Sequence, residues 1–225
     1  MSTVCKQAIS MFTAMEEFSP SSVTEVHKCL EQELSNDTVR WICDIVSESV
    51  DVQKRKYGTS ALLMGPLGYY HPSRINELTS TNVRRGRISR NMPSSYTFVY
   101  DYNETGAVIR ITNVHACTVT YILHQEMCDI CISVQQGTNE IEHIMIIQYD
   151  ADARPRRWMQ LFGHNRMRAV DAVAIEVYRD TPSGSMCTKI DGISDDDCTF
   201  RGLCFQDYSL SCDKNGKVIA ARLLS

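Results

Sequence analysis

The hydrophobic period of this chain changes about a quarter of the way along. Residues 1–57 repeat apolar side chains every three to four positions, as helices do, whereas from Tyr96 onward they alternate every second position, as half-buried strands do. A chain patterned this way folds as α+β. The expected division is a helical segment at 1–57, an irregular basic linker at 58–95 and an antiparallel β domain at 96–225.

Three helices are expected in the first segment. One covers roughly residues 3–17, with Val4, Ala8, Met11, Phe12 and Met15 on a single stripe, and Pro20 interrupts it. The next opens at Ser22, where Ser22-Val23-Thr24-Glu25 has the capping-box pattern, and carries Val23, Val26, Leu30 and Leu34. The third follows Asn36-Asp37 with Val39, Ile42, Ile45, Val46 and Val50. It ends in Lys54-Arg55-Lys56, where cations suit the negative end of the helix dipole, and Gly58 stops it. Isolated helices of this length are marginal in water, so they must pack on each other, on the sheet or on a partner. Residues 58–95 are punctuated by Gly65, Pro66, Gly68, Pro72 and Pro93, with a short strand possible around Leu67–Tyr70. Arg84-Arg85-Gly86-Arg87-Ile88-Ser89-Arg90 has too little apolar content to build a core.

Strands follow. Tyr96, Phe98, Tyr100 and Tyr102 share a face, and the chain turns at Asn103-Glu104-Thr105-Gly106 before returning through Ala107–Val114. Cys117, Val119, Tyr121 and Leu123 form one inner face, and Ile130, Ile132 and Val134 the next. Ile141–Tyr149 is nearly continuously apolar and reads as a central strand covered on both sides. Arg157–Phe162 follows a polar turn. Ala169–Tyr178 is ambiguous, its alanines favouring helix and its valines strand. Residues 180–198 read as a loop rich in Gly, Ser and Asp. Two last strands, near 200–212 and 217–224, flank Asp213-Lys214-Asn215-Gly216. Strands with short polar connections imply a curved, mainly antiparallel meander or open barrel, with the helices on one face or at one end.

Two of these hairpins carry a resemblance. Tyr100-Asp101-Tyr102-Asn103-Glu104-Thr105-Gly106-Ala107-Val108-Ile109 is similar to the tyrosine–aspartate repeat of Rhs-type bacterial proteins. Cys212-Asp213-Lys214-Asn215-Gly216-Lys217-Val218-Ile219 resembles the same unit without its tyrosines. In that family such repeats tile into β-shells around toxins. Here the two copies are far apart, so the resemblance implies a hairpin geometry and a bacterial context, and no catalytic residue.

Composition excludes some functions. The 225 residues are 43% hydrophobic and 22% charged, with a net charge of −4, which argues against a dominant affinity for nucleic acid. No apolar run approaches the roughly 20 residues that span a bilayer, and no secretory signal is legible. The ten cysteines then read as reduced thiols of a cytoplasmic protein. Cys128-Asp129-Ile130-Cys131 is a CxxC, but on a strand its two sulfurs point to opposite faces. Asp101-x-Asn103-x-Thr105-Gly106 imitates a calcium loop, yet Thr112 stands where its bidentate carboxylate belongs. The six histidines lack metal-ligand spacing, though His115, His124 and His143 fall on neighbouring expected strands, where an acid–base site is conceivable. No cofactor or metal is expected.

Three functions remain. The first is a non-enzymatic protein-binding module with a protein partner, in its most concrete version a cytoplasmic inhibitor or immunity-type protein. Its candidate surface is Tyr96, Phe98, Tyr100, Tyr102 and Tyr121, together with Arg156, Arg157, Trp158 and the acidic run Asp195, Asp196, Asp197 beside Asp191. The second is a small-ligand-binding or hydrolytic β-barrel with a pocket of tyrosines and histidines. The third is nucleic-acid binding through Arg84, Arg85, Arg87 and Arg90, or through Arg154, Arg156, Arg157, Arg166 and Arg168 among Trp158, Phe162 and His164.

Overall fold

The computed structural model describes residues 5–48, 52, 54–59, 65–80, 84–138, 140–162, 172–182, 184–195 and 199–224, with the side chains of 36 and 45–48 left aside. Val4, Val50, His164, Arg166, Arg168, Ala169, Asp196 and Asp197, named above, lie outside the described residues, as do Val170, Cys198 and the side chains of Ile45 and Val46.

Helix α1 spans Lys6–Ala14, α2 Pro20–Glu33 and α3 Asn36–Glu48. Pro20 opens α2 rather than interrupting its predecessor. Its missing N–H costs nothing at the first helical position, and Ser19 caps the helix in a reciprocal bond pair with Ser22. Lys54-Arg55-Lys56 does not end a helix. These residues begin strand β1 (Lys54–Gly58), where Arg55 pairs with Asp101 at 2.7 Å and Lys56 lies over the Tyr102 ring. A carboxylate and an aromatic ring of the paired strand, and not a helix dipole, receive these cations.

The remaining strands are β2 (Ile88–Ser89), β3 (Phe98–Tyr102), β4 (Val108–Asn113), β5 (Thr118–His124), β6 (Cys128–Gln135) and β7 (Ile141–Tyr149). They continue as β8 (Pro155–Phe162), β9 (Ala172–Thr181), β10 (Gly184–Ser194), β11 (Phe200–Cys212) and β12 (Val218–Leu223). A short helix α4 (Asn76–Thr79) and a 3₁₀ turn at Gly68–Tyr70, where a strand was possible, lie between β1 and β2. The strands form one twelve-stranded antiparallel sheet in the order β12-β11-β10-β9-β8-β7-β6-β5-β4-β3-β1-β2, and the sheet is not closed. The stretch expected as a loop at 180–198 contains the whole of β10. Its Gly184, at φ 125, reverses the chain, and Cys187 and Ile190 alternate into the two buried faces.

Three hairpins share one construction. The side-chain oxygen of Asn103, Asp150 or Asp213 accepts the backbone N–H four residues on, from Ala107, Arg154 or Lys217, at 2.9, 2.9 and 3.0 Å. The residue before that donor is left-handed: Gly106 at φ 82, Ala153 at φ 57, Gly216 at φ 75. These hairpins join β3 to β4, β7 to β8 and β11 to β12. In a meander, connections that far apart fall at the same end of the sheet. The middle copy has alanine where the others have glycine, which hid it from sequence pattern.

The two faces of the sheet are covered differently. Helices α1–α3 lie on the first, where Phe12, Val26, Leu30 and Ile42 pack on Tyr121, Ile132, Ile146, Leu161 and Ile175. Residues 65–80, expected as part of a linker, lie on the second with Leu67 and Ile75 in its core, against Tyr100, Ile122, Met145, Trp158 and Tyr178. β7 is buried from both sides, by Ile144 and Ile146 on one face and Met145 and Ile147 on the other. Gly68 has to be glycine: it is left-handed at φ 52, and a Cβ there would sit 2.6 Å from the Tyr100 hydroxyl.

Candidate functional site

The cover at 65–80 is mostly irregular backbone, whose polar groups have no regular ladder to satisfy them. Side chains do this instead. Arg85 donates to the carbonyls of Tyr69, His71 and Ser73 at 2.9, 2.7 and 2.5 Å. The Tyr100 hydroxyl accepts the Tyr69 N–H at 2.9 Å, and the Tyr178 hydroxyl accepts the Arg74 N–H at 2.7 Å. At the centre lies the Glu176 carboxylate, fully buried on β9. It accepts bonds from Ser73 Oγ at 2.8 Å, from Trp158 Nε1 at 3.1 Å and from the Tyr178 hydroxyl. Burial raises its pKa above the ordinary carboxyl value, against those three donors. Ser73 Oγ also accepts the N–H groups of Ile75 and Asn76, so it tethers α4 to the sheet.

His71 is buried beside this network, edge-on to Trp158 with ring centroids 5.1 Å apart. Burial and the Arg85 charge hold its pKa down at about 3, so the ring is neutral. The Gln160 side chain of β8 faces the ring beside Gly65 and pulls the other way.

Next to His71 the cover stops short of β10 and β11, and a cleft of about 780 Å³ opens onto the sheet. Its lining includes His71, Asn76, Trp158, Gln160 and Phe162 on one side and Lys189, Asp191, Ile193 and Cys204 on the other. The floor is Ala172 and Ala174 of β9. The inward positions of β8 beside them carry Phe162 and Gln160, so alanine is what leaves the space. Lys189 and Asp191 form an ion pair at 3.3 Å.

The residues singled out by sequence are dispersed. Phe98, Tyr100 and Tyr102 are buried under the 65–80 cover, where Tyr70 and Tyr102 share a hydroxyl–hydroxyl bond at 2.6 Å. Tyr121 is buried on the opposite face, beneath the helices. Tyr96 is half-buried, edge-on to Tyr57. Arg156 is exposed. Arg157 donates to the carbonyls of Thr13 and Met15 and lies 5.2 Å from the Phe12 ring, so it anchors the end of α1 to β8. Trp158, 3% exposed, cannot stack on a nucleobase, whatever its neighbouring arginines do. Asp195 accepts the Thr199 N–H at 3.0 Å and pairs with Arg201 at 2.6 Å, closing the β10–β11 turn.

The three strand histidines do not converge. His115 sits in an exposed turn, and His143 stands edge-on to Phe162 at the other end of the sheet from His124. His124 contacts Asp129 at 2.7 Å and the Val108 carbonyl at 2.8 Å, and Tyr149 donates to the other Asp129 oxygen at 2.7 Å. The Asp129 bond raises the His124 pKa. Cys128 and Cys131 are separated by the sheet, and burial raises both thiol pKa values. The nine described cysteines are free thiols, and no metal-binding cluster of His, Cys, Asp or Glu occurs among the described residues. No described helix is long and apolar enough to cross a membrane.

Sequence reasoning missed His71, Gln160, Glu176 and Cys204. The one available signal was Glu176: a lone carboxylate on a strand flanked by Val173, Ile175 and Val177 must find partners wherever both faces are covered. No protein family, curated protein or solved structure matches this chain.

Proposed function

We propose that this protein binds a small molecule in the cleft between the 65–80 cover and strands β8–β11, and that it does so without catalysis. The observation that carries the reading is the alanine floor, extended by Gly202, between aromatic and polar walls. Such a concavity, mostly apolar with a few placed polar groups, is the usual form of a ligand site. The sheet behind it is read as strongly curved. Residue 69 touches β3 and residue 73 touches β9, which are six strands apart in the sheet. Four residues of backbone reach about 14 Å, so the Tyr100, Ser73 and Glu176 side chains bridge the rest of the about 28 Å that six flat strand spacings would span, a distance that curvature shortens.

Binding is favoured over hydrolysis because the acid–base groups near the cleft are committed. Both Glu176 oxygens accept bonds within the core, Ser73 Oγ serves three partners, and Lys189 is paired. A thermal-shift screen of metabolites tests the reading, with Trp158 fluorescence in a Trp41→Phe background as a local reporter. Compounds that stabilise the wild type should lose that effect in Ala174→Leu, which fills the floor. If no compound separates the two proteins, the reading fails.

A protein partner is the second reading. It is favoured by Ile193, Phe205, Ile219, Leu223 and Leu224, each about half or more exposed on or just beyond the last three strands. The inhibitor or immunity-type version rests on the Rhs-like hairpins alone. Size-exclusion chromatography of a source lysate, with these positions changed to serine as control, tests it.

A further inference from the structure

Gln160 gives the cleft its chemical preference. The amide is 1% exposed, and its neighbour fixes its orientation. The Ser73 backbone N–H donates to His71 Nδ1 at 3.2 Å, so that nitrogen carries no proton. The proton of the neutral ring is then on Nε2, and it is the Gln160 amide oxygen that lies with this nitrogen beside Gly65. This leaves Gln160 Nε2 with two protons and no hydrogen-bond partner among the described residues. A buried donor without an acceptor is unfavourable and rare, and one beside a cleft marks where an acceptor belongs.

The surroundings restrict what can bring that acceptor. Phe162 stands beside the shallow floor of Ala172 and Ala174, a shape that suits a flat ring better than a branched chain. At the opposite wall Lys189 and Asp191 neutralise each other at 3.3 Å, so among the described lining residues no uncompensated charge is on offer to an anion or a cation.

We propose that the cleft takes an uncharged planar ring bearing a carbonyl or ring-nitrogen acceptor, with the acceptor on Gln160 Nε2 and the ring between Phe162 and the alanine floor. This deepens the small-molecule reading and rests on it. Exposed Cys204 on the opposite wall provides an independent reporter of occupancy.

The experiment uses the full chain and four probes built on one ring: benzamide, benzoate, benzamidine and toluene. Binding is read by protection of Cys204 from alkylation and by the side-chain amide resonances of Gln160. The expected result is that benzamide protects Cys204 best and shifts the Gln160 amide protons. Gln160→Met should weaken benzamide by about tenfold or more while leaving toluene unchanged. Should Gln160→Met not fold, the order of the four probes and the Gln160 resonances in the wild type decide alone. Benzoate or benzamidine binding more tightly than benzamide overturns the proposed class and leaves the cleft as a ligand site. So does equal binding of toluene, or an amide that meets only water in every complex. Failure of the wider metabolite screen is the separate result that removes the ligand site itself.

Discussion

The two faces of the sheet are closed by different means. Helices α1–α3 satisfy most of their own backbone groups, so the face beneath them is a layer of aliphatic and aromatic contact, with polar bonds chiefly at helix ends. The 65–80 cover has no such ladder, so its face needs Arg85, Tyr100, Tyr178 and Ser73 to receive backbone groups and Glu176 to hold the donors in place. A regular cover can therefore be read as an apolar stripe, whereas an irregular one is specified by scattered polar residues that resemble nothing in sequence.

The comparison can be broken by substitution. Phe12→Ala on the helical face should cost the most, about 4 kcal/mol in urea unfolding, through the cavity it leaves. That loss should be the same at every pH. Arg85→Met on the other face should cost about 3 kcal/mol, because three carbonyls lose a donor although no core volume is removed. A loss below the error of the measurement would mean that water replaces the guanidinium and that the cover is held by Leu67 and Ile75 alone. Glu176→Gln should cost about 2 kcal/mol, since an amide offers one acceptor oxygen to three donors.

The pH dependence sharpens the contrast. His71 is depressed to about 3 from 6.5, so its contribution is complete above pH 6.5 and is lost as pH falls towards 3. Glu176 is raised, so its contribution is present below its ordinary value of 4.5 and is lost as pH rises beyond it. His71→Asn should flatten the acid limb of the stability curve, and Glu176→Gln the rise towards low pH. The smallest effect belongs to His124, which is partly exposed. Its raised pKa makes its ion pair with Asp129 favourable below 6.5 and lost as pH climbs through the raised value. Asp129→Asn should return the His124 imidazole titration, followed by NMR, towards 6.5.

Legibility in the sequence follows the same division. The alternation from Tyr96, the glycines at 106 and 216 and the continuous run at Ile141–Tyr149 give the meander and its central strand. The stripe of Ala8 and Phe12 gives a helix with a buried side. Residues 65–80 have no period, so their burial left no trace, and a basic run containing Arg85 looked solvated although its guanidinium turns inward. The cleft was illegible for a further reason. Ala172 and Ala174 matter through volume they do not fill, and Gln160 through a bond it does not make.

Every strand from β4 to β11 pairs with its neighbours in sequence, but both covers precede most of what they cover. The bond from the Phe200 N–H to Thr24 Oγ1 joins residues 176 apart, and Ser73 meets Glu176 across 103. During synthesis from the N-terminus, the apolar sides of α1–α3 and Leu67 and Ile75 therefore cannot be fully buried until β8–β11 have emerged. The meander can zip by local steps, whereas docking of the covers has to close the longest loops, so it is the step at which refolding should slow and aggregation should compete.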